Sequence, residues 1–158
     1  RGLGDVYKRQ LQVLWSAQLV ALDGMQAEPR LLHARKDRTG VTPVQPEPLH
    51  RVPLDEDVLE LVHRGMRLAV TDGTCQQLDL RGLEVCAKSG TAETGRAGEE
   101  DHSWVVGYWP ASQPRYGFVS FFQNGGGAGE AAIPAMRQLL IYMRDEYRPG
   151  VADPEPED

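Results

Sequence analysis

The patterning of this chain predicts an α+β domain: an antiparallel sheet meander with helices packed on it. Three observations carry that expectation. Two stretches before residue 70 and one after residue 130 repeat apolar side chains at three- and four-residue spacing, the period of an amphipathic helix. Between them lie three runs with strand character, 83–93, 103–109 and 116–123. The polar connectors 94–102 and 110–115 are short, which favours antiparallel neighbours over crossover units.

The first helix is read from Leu11, Leu14, Trp15, Gln18, Leu19 and Leu22, and Asp23-Gly24 ends it with a residue suited to a left-handed cap. From residue 28 to residue 53 no period appears, and Pro29, Pro43, Pro46, Pro48 and Pro53 punctuate the stretch. Short extended pieces and loop are expected there. The second helix takes Asp55 as N-cap, presents Val58, Leu61, Val62, Gly65, Met66 and Ala69 on one face, and stops at Thr71-Asp72-Gly73-Thr74. A glycine-rich loop over 125–129 leads into the last helix, whose apolar face is Ile133, Met136, Leu139, Leu140 and Met143. Pro134 is tolerable only near its first turn.

The chain has 158 residues, 41% of them hydrophobic and 25% charged, as in an ordinary globular domain with a real core. A net charge of -6 without any basic stripe argues against a nucleic-acid partner. Cys75 and Cys86 form no C-x-x-C pair, and His33, His50 and His63 are scattered, so neither a disulfide framework nor a metal site is expected. The two cysteines read as small buried residues.

Chemistry concentrates in Lys88-Ser89-Gly90-Thr91-Ala92-Glu93, which places a cation, two hydroxyls and a glycine on one strand. Strand alternation puts Lys88 and Gly90 on one face and Ser89 and Thr91 on the other. A ligand lying along the strand edge could meet both faces and the backbone, and glycine lets another backbone come close.

The surroundings of that strand are specific. Gly73-Thr74-Cys75 follows a helix containing Gly65-Met66. Val85-Cys86-Ala87 leads into the Lys88 strand, and Asp101-His102-Ser103-Trp104-Val105-Val106-Gly107-Tyr108-Trp109-Pro110 comes after it. In order and spacing this resembles the penicillin-binding transpeptidases, especially the monofunctional class B enzymes. The likeness extends upstream to Leu11-Gln12-Val13-Leu14, similar to the family's P-L-Q-x-A helix, and downstream to Gly129-Glu130-Ala131-Ala132-Ile133-Pro134.

That resemblance implies a partial β-lactamase/transpeptidase-like fold over residues 11–148 and an active-site wall at the Lys88 strand. Lys88 would contribute positive potential. The hydroxyls of Ser89 and Thr91 would hold the terminal carboxylate of a D-Ala-D-Ala stem peptide or of a β-lactam, with the substrate backbone added along Ser89, Gly90 and Thr91 as a further strand. The backbone N–H of Thr91 would supply half of an oxyanion hole. The implied reaction is acyl transfer through a serine acyl-enzyme, which cross-links stem peptides in bacterial cell-wall synthesis without any cofactor or metal. Cell-wall synthesis proteins are further partners in this reading.

The sequence departs from the family at the reacting group. Ser16, Ser89, Ser103, Ser112 and Ser120 each lack a lysine three residues on, and the single asparagine, Asn124, has Phe122 two before it. S-x-x-K and S-x-N are therefore both absent from the chain. In the family both lie upstream of the Lys88 strand, so truncation is expected. Asp5-Val6-Tyr7-Lys8-Arg9-Gln10 also resembles the in-frame translation of a transposon-end adapter used in sequencing libraries. Residues 1–10 are accordingly read as non-native and residues 149–158 as a disordered acidic, proline-rich tail. The parent protein would face the periplasm or cell exterior, held by an N-terminal membrane anchor, and this chain alone would not turn over substrate. Other readings of the same strand are a serine β-lactamase or D,D-carboxypeptidase, or a non-catalytic module binding stem peptides or cell-wall partners.

Remaining features have plainer readings. His102 beside Asp101 is expected to be structural, with no nucleophile to activate. Gly127-Ala128-Gly129-Glu130-Ala131-Ala132 matches a dinucleotide-binding spacing but follows a meander, so a tight connection is expected. Trp104, Tyr108 and Trp109 are expected to pack in the core and on the sheet surface.

Overall fold

A computed structural model describes residues 3–147. The tail assigned to 149–158, and the first two residues of the segment 1–10, lie outside the described residues. Helix α1 (Leu3–Ala21) is followed by four short strands, β1 (Met25–Gln26), β2 (Ala34–Asp37), β3 (Gly40–Pro43) and β4 (His50–Arg51). These pair as two small antiparallel ribbons, β1 with β4 and β2 with β3. Helix α2 (Glu56–Thr71) and a single 3-10 turn (Gln76–Leu78) then lead into the meander β5 (Cys86–Ala92), β6 (His102–Trp109) and β7 (Tyr116–Phe122), and α3 (Ala132–Asp145) ends the order. The α+β class and the antiparallel order β5-β6-β7 agree with the sequence reading.

Local chemistry sets the boundaries. After α1, Asp23 and Gly24 both take positive φ, 51° and 83°, and the Gly24 N–H donates to the Leu19 carbonyl at 2.8 Å, closing the helix with a left-handed cap. The Asp55 carboxylate accepts from the N–H groups of Asp57 and Val58 and caps α2. α3 begins at Ala132, so Pro134 sits in its first turn, where its missing N–H has no helical partner to lose.

The pleat sorts the two sheet faces. Ala87, Val105, Trp109 and Phe118 enter the main core with Ile133, Met136 and Leu140 of α3. Cys86 and Tyr108, on the opposite face, pack with Ala21 of α1 and Met66 of α2. α1 and α3 thus cover opposite faces, and α2 packs chiefly against β5, with Arg67 Nη1 donating to the carbonyl of Val85, the residue before that strand, at 2.8 Å. Burying each large aliphatic side chain contributes about 1.5–3 kcal/mol. Cys75 and Cys86 are both buried free thiols.

Two expectations about helix faces are corrected. On α2 the buried residues are Leu59, Met66 and Val70, whereas Val58, Leu61 and Val62 of the expected face are exposed and Ala69 is half-buried. The inward series is interrupted at residue 63 by a histidine held between the Asp23 carboxylate and the Tyr108 hydroxyl, which an apolar count does not register. On α3, Leu139 is exposed at 46% while Ile133, Met136 and Leu140 are buried. Over residues 9–21 of α1 the buried residues are Ala17 and Ala21, while Leu14 and Leu19 are half-buried and Leu11 is exposed.

Candidate functional site

The residues singled out at 88–91 lie on β5, which is the edge strand of the meander and pairs only with β6 among the described residues. The register sets Lys88 opposite Val106, Ser89 opposite Val105, Gly90 opposite Trp104 and Thr91 opposite Ser103. Ser89 and Thr91 therefore share the face of the buried Val105 and Ser103, and Lys88 and Gly90 share the other. Lys88 and Thr91 are exposed, and Ser89 and Gly90 are half-buried. The ammonium and the two hydroxyls lie along one strand, on opposite faces.

Lys88 belongs to none of the ion pairs among the described residues, which use Arg51, His63, Arg67, Arg96 and Arg144. Its Nζ instead donates to the carbonyl of Ser89. An unpaired, exposed ammonium on an edge strand makes a local positive field available to an anionic ligand. Gly90 leaves room: a Cβ there would reach the Trp104 Cβ at 3.4 Å, an ordinary contact. One neighbour of this strand escaped the sequence reading as a site residue. Thr74, in the turn after α2, places Oγ1 2.6 Å from the Ser89 Oγ.

The far end of the strand is fixed by a buried polar node. Ser103, fully buried, donates from Oγ to the Gly127 carbonyl and accepts from the Ala132 N–H, both at 3.0 Å. One hydroxyl thereby ties β6, the glycine loop and the start of α3 together, an arrangement no spacing rule could reveal. Asp101 and His102 turn to different partners: Asp101 Oδ1 accepts from the Thr94 N–H and His102 Nδ1 from the Asn124 N–H. In the glycine loop the Gly127 N–H donates to Glu130 Oε1 at 3.1 Å, so that N–H is taken by the chain's own carboxylate. A Cβ on Gly126 would overlap that carboxylate.

A second polar chain lies at the other end of the sheet. His63 donates from Nε2 to Asp23 Oδ1 at 3.1 Å and hydrogen-bonds through Nδ1 with the Tyr108 hydroxyl, joining the end of α1, α2 and β6. Burial raises the Tyr108 phenol well above its ordinary 10.0, and burial likewise pushes the neighbouring Cys86 thiol above 9.0. Both groups stay protonated across the physiological range, which suits a structural clamp rather than a nucleophile. An apolar groove of about 260 Å³ between α1 and the β6–β7 turn is lined by Leu14, Trp15, Tyr108 and Tyr116, and none of residues 88–91 lines it. Among the described residues no group of three or more His, Cys, Asp or Glu side chains is placed to hold a metal ion, and no helix is long and apolar enough to cross a membrane.

Comparison with known proteins places this geometry among relatives. Residues 10–140 match the family described as "Penicillin binding protein transpeptidase domain". A curated relative, the peptidoglycan D,D-transpeptidase PbpA of Mycolicibacterium smegmatis, is 26% identical over 129 residues, which are 79% of this chain and 26% of the relative. The chain thus spans about a quarter of that relative's length. Penicillin-binding protein A from M. tuberculosis, in its imipenem acyl-enzyme complex, superposes with a TM-score of 0.65 at 19% identity, covering 81% of this chain and 29% of that one. Penicillin-binding protein 2B from Streptococcus pneumoniae gives a TM-score of 0.69 at 17% identity, covering 88% and 25%. Pseudomonas aeruginosa PBP2 in complex with WCK 5153 gives 0.60 at 25% identity, covering 91% and 33%. At the identities of the first two structures the likeness is one of fold.

Proposed function

The chain belongs to the penicillin-binding protein transpeptidase family, and on that premise we propose that it forms the substrate-holding wall of a peptidoglycan D,D-transpeptidase whose reacting serine lies in upstream sequence. The observation that carries this reading is the outer edge of β5, which has no strand partner among the described residues and bears an exposed ammonium with two hydroxyls beside it. An extended D-Ala-D-Ala stem peptide can add along that edge by main-chain hydrogen bonds. Its terminal carboxylate, an acceptor only, meets the Ser89 and Thr91 hydroxyls within the field of Lys88, giving charge-assisted bonds about twice as strong as neutral ones. The Thr91 N–H contributes to the oxyanion hole that receives the charge developing on the scissile carbonyl oxygen.

The chemistry is acyl transfer. A serine hydroxyl attacks that carbonyl, the terminal D-alanine leaves, and the amine of a second stem peptide releases the acyl group. No serine of this chain has a lysine three residues on, so the wall and the nucleophile come from different parts of the parent. The parent works on the outer face of the plasma membrane, tethered by a segment upstream of this chain, where stem peptides and cell-wall synthesis partners are found. Residues 1–10 are non-native in this reading.

Labelling with a fluorescent penicillin tests it. The 158-residue chain should give no covalent band. The same chain joined to the upstream coding sequence of its gene should label, and Lys88→Ala in that longer protein should slow labelling by roughly tenfold or more, a loss of about 1.4 kcal/mol in transition-state stabilisation. A labelled band from the short chain alone would refute the assignment of the nucleophile.

A further inference from the structure

The turn after α2 brings a third hydroxyl to the wall. α2 ends at Thr71, and the Asp72 N–H donates to the Leu68 carbonyl at 2.8 Å. At the next position a Cβ would lie 2.8 Å from the Ala69 Cα, so only glycine lets the chain fold back over the last helical turn. The Cys75 N–H then closes onto the Ala69 carbonyl at 2.8 Å, and the fully buried Cys75 anchors the turn in the core. Thr74, held between these two fixed points, meets β5 through the 2.6 Å contact of its Oγ1 with the Ser89 Oγ.

We propose that Thr74 is a positioning residue: it donates into Ser89, fixing the Ser89 rotamer and turning the Ser89 proton outward, so that the strand selects a ligand carboxylate over a neutral amide. This rests on the substrate-holding role of residues 88–91. A hydroxyl has one proton and two lone pairs. A carboxylate can only accept, so Ser89 must give its proton to the ligand and take its second bond from Thr74. The other neighbour of the Thr74 hydroxyl is the Cys75 Sγ at 3.9 Å, a weak acceptor. The donor chain therefore runs Thr74 to Ser89 to carboxylate, each bond polarising the next. Lys88 acts on the same residue from the main chain, its ammonium resting on the Ser89 carbonyl. An amide end carries no charge to strengthen these bonds and gains less from the arrangement.

The test uses the whole isotope-labelled chain, with Nα,Nε-diacetyl-lysyl-D-Ala-D-Ala and its C-terminal amide as probes. Binding is followed by the backbone amide shifts of Gly90 and Thr91, and the Ser89 rotamer by Hα–Hβ couplings without ligand. Thr74→Val, which keeps the shape and removes the hydroxyl, should weaken the carboxylate peptide by roughly five- to tenfold and the amide less than twofold, the scale of one ordinary hydrogen bond, since Thr74 reaches the charge only through Ser89. Thr74→Ser should restore carboxylate binding, and the Ser89 couplings should change from a single rotamer to an average in Thr74→Val alone. Equal affinity of Thr74→Val and the parent chain for the carboxylate peptide overturns the inference, as does equal loss of both ligands, which marks a purely structural role. Averaged Ser89 couplings in the parent chain overturn the positioning contact itself. Failure of the parent chain to bind either peptide overturns the substrate-holding reading instead, with the couplings still deciding whether Thr74 orders Ser89.

Discussion

Gly107 lies opposite Ala87, one residue before Lys88, and its substitution by alanine should loosen the site strand and the whole fold. A Cβ at that position would overlap the Cys86 carbonyl oxygen and lie 2.6 Å from the Phe118 Cζ, against an ordinary contact of 3.4 Å or more. Phe118 is buried against Trp109 and cannot swing away, and the Cys86 carbonyl belongs to the backbone of β5. Relief requires β5 to move off β6. Overpacking in a core costs about 1–3 kcal/mol, and with backbone on one side the upper end applies, about 3 kcal/mol. For a domain of this size each kcal/mol moves Tm by about 2–4 °C, so Gly107→Ala should melt roughly 6–12 °C below the parent by far-UV circular dichroism. Gly65 supplies the control, since it lies within α2 with nothing near its missing Cβ. Gly65→Ala should raise stability by about 0.5–1 kcal/mol through helix propensity alone. A Gly107→Ala protein melting within about 2 °C of the parent, or a Gly65→Ala protein falling as far as Gly107→Ala, would refute the packing argument.

Alkaline titration should probe the opposite end of the sheet. Because burial raises Cys86 above 9.0 and Tyr108 above 10.0, the folded state keeps protons the unfolded chain releases. Their contribution is complete below pH 9 and is lost as pH rises past it. Urea midpoints should decline from pH 9 to 11, and Tyr108→Phe should show a shallower decline from a lower start, because His63 Nδ1 loses its partner; an unchanged slope would contradict the role of Tyr108. Ser103→Ala leaves the Ala132 N–H and the Gly127 carbonyl without their shared partner. It should cost about 2–3 kcal/mol in urea denaturation, and a loss below about 0.5 kcal/mol would show that water replaces the hydroxyl. Asp55→Ala removes the carboxylate that accepts from two N–H groups at the start of α2. It should cost about 1 kcal/mol, most of it recovered by Asp55→Ser.

The meander was legible because β6 and β7 are rich in β-branched and aromatic residues and the three strands are joined by short polar turns, all local properties. The Asp55 cap and the Asp23-Gly24 stop were legible for the same reason, each being chemistry within a few residues. What the chain order concealed depends on contacts between distant residues. The inward face of α2 is masked in the sequence because His63 stands in the apolar series, and its place there makes sense only once Asp23 and Tyr108 are beside it. Ser103 looked like any strand serine until Gly127 and Ala132 closed on it. The strand 88–91 was found by its composition and its neighbours in sequence, whereas the bond from Thr74 to Ser89 crosses fifteen positions and carries no periodic signal. Along α1 Ala17 and Ala21 are buried while Leu11, Leu14 and Leu19 are not, which inverts a reading based on side-chain size.

Residues 88–91 are proposed to hold a ligand's carboxylate, and non-covalent titration of the labelled chain with benzylpenicillin reads that role at those residues. The amide signals of Ser89, Gly90 and Thr91 should shift together along one saturating curve, and Lys88→Ala should weaken that curve by roughly tenfold, about 1.4 kcal/mol. Shifts confined to the groove beside Leu14, Trp15 and Tyr116, or no shift in 88–91 at saturating ligand, would contradict it.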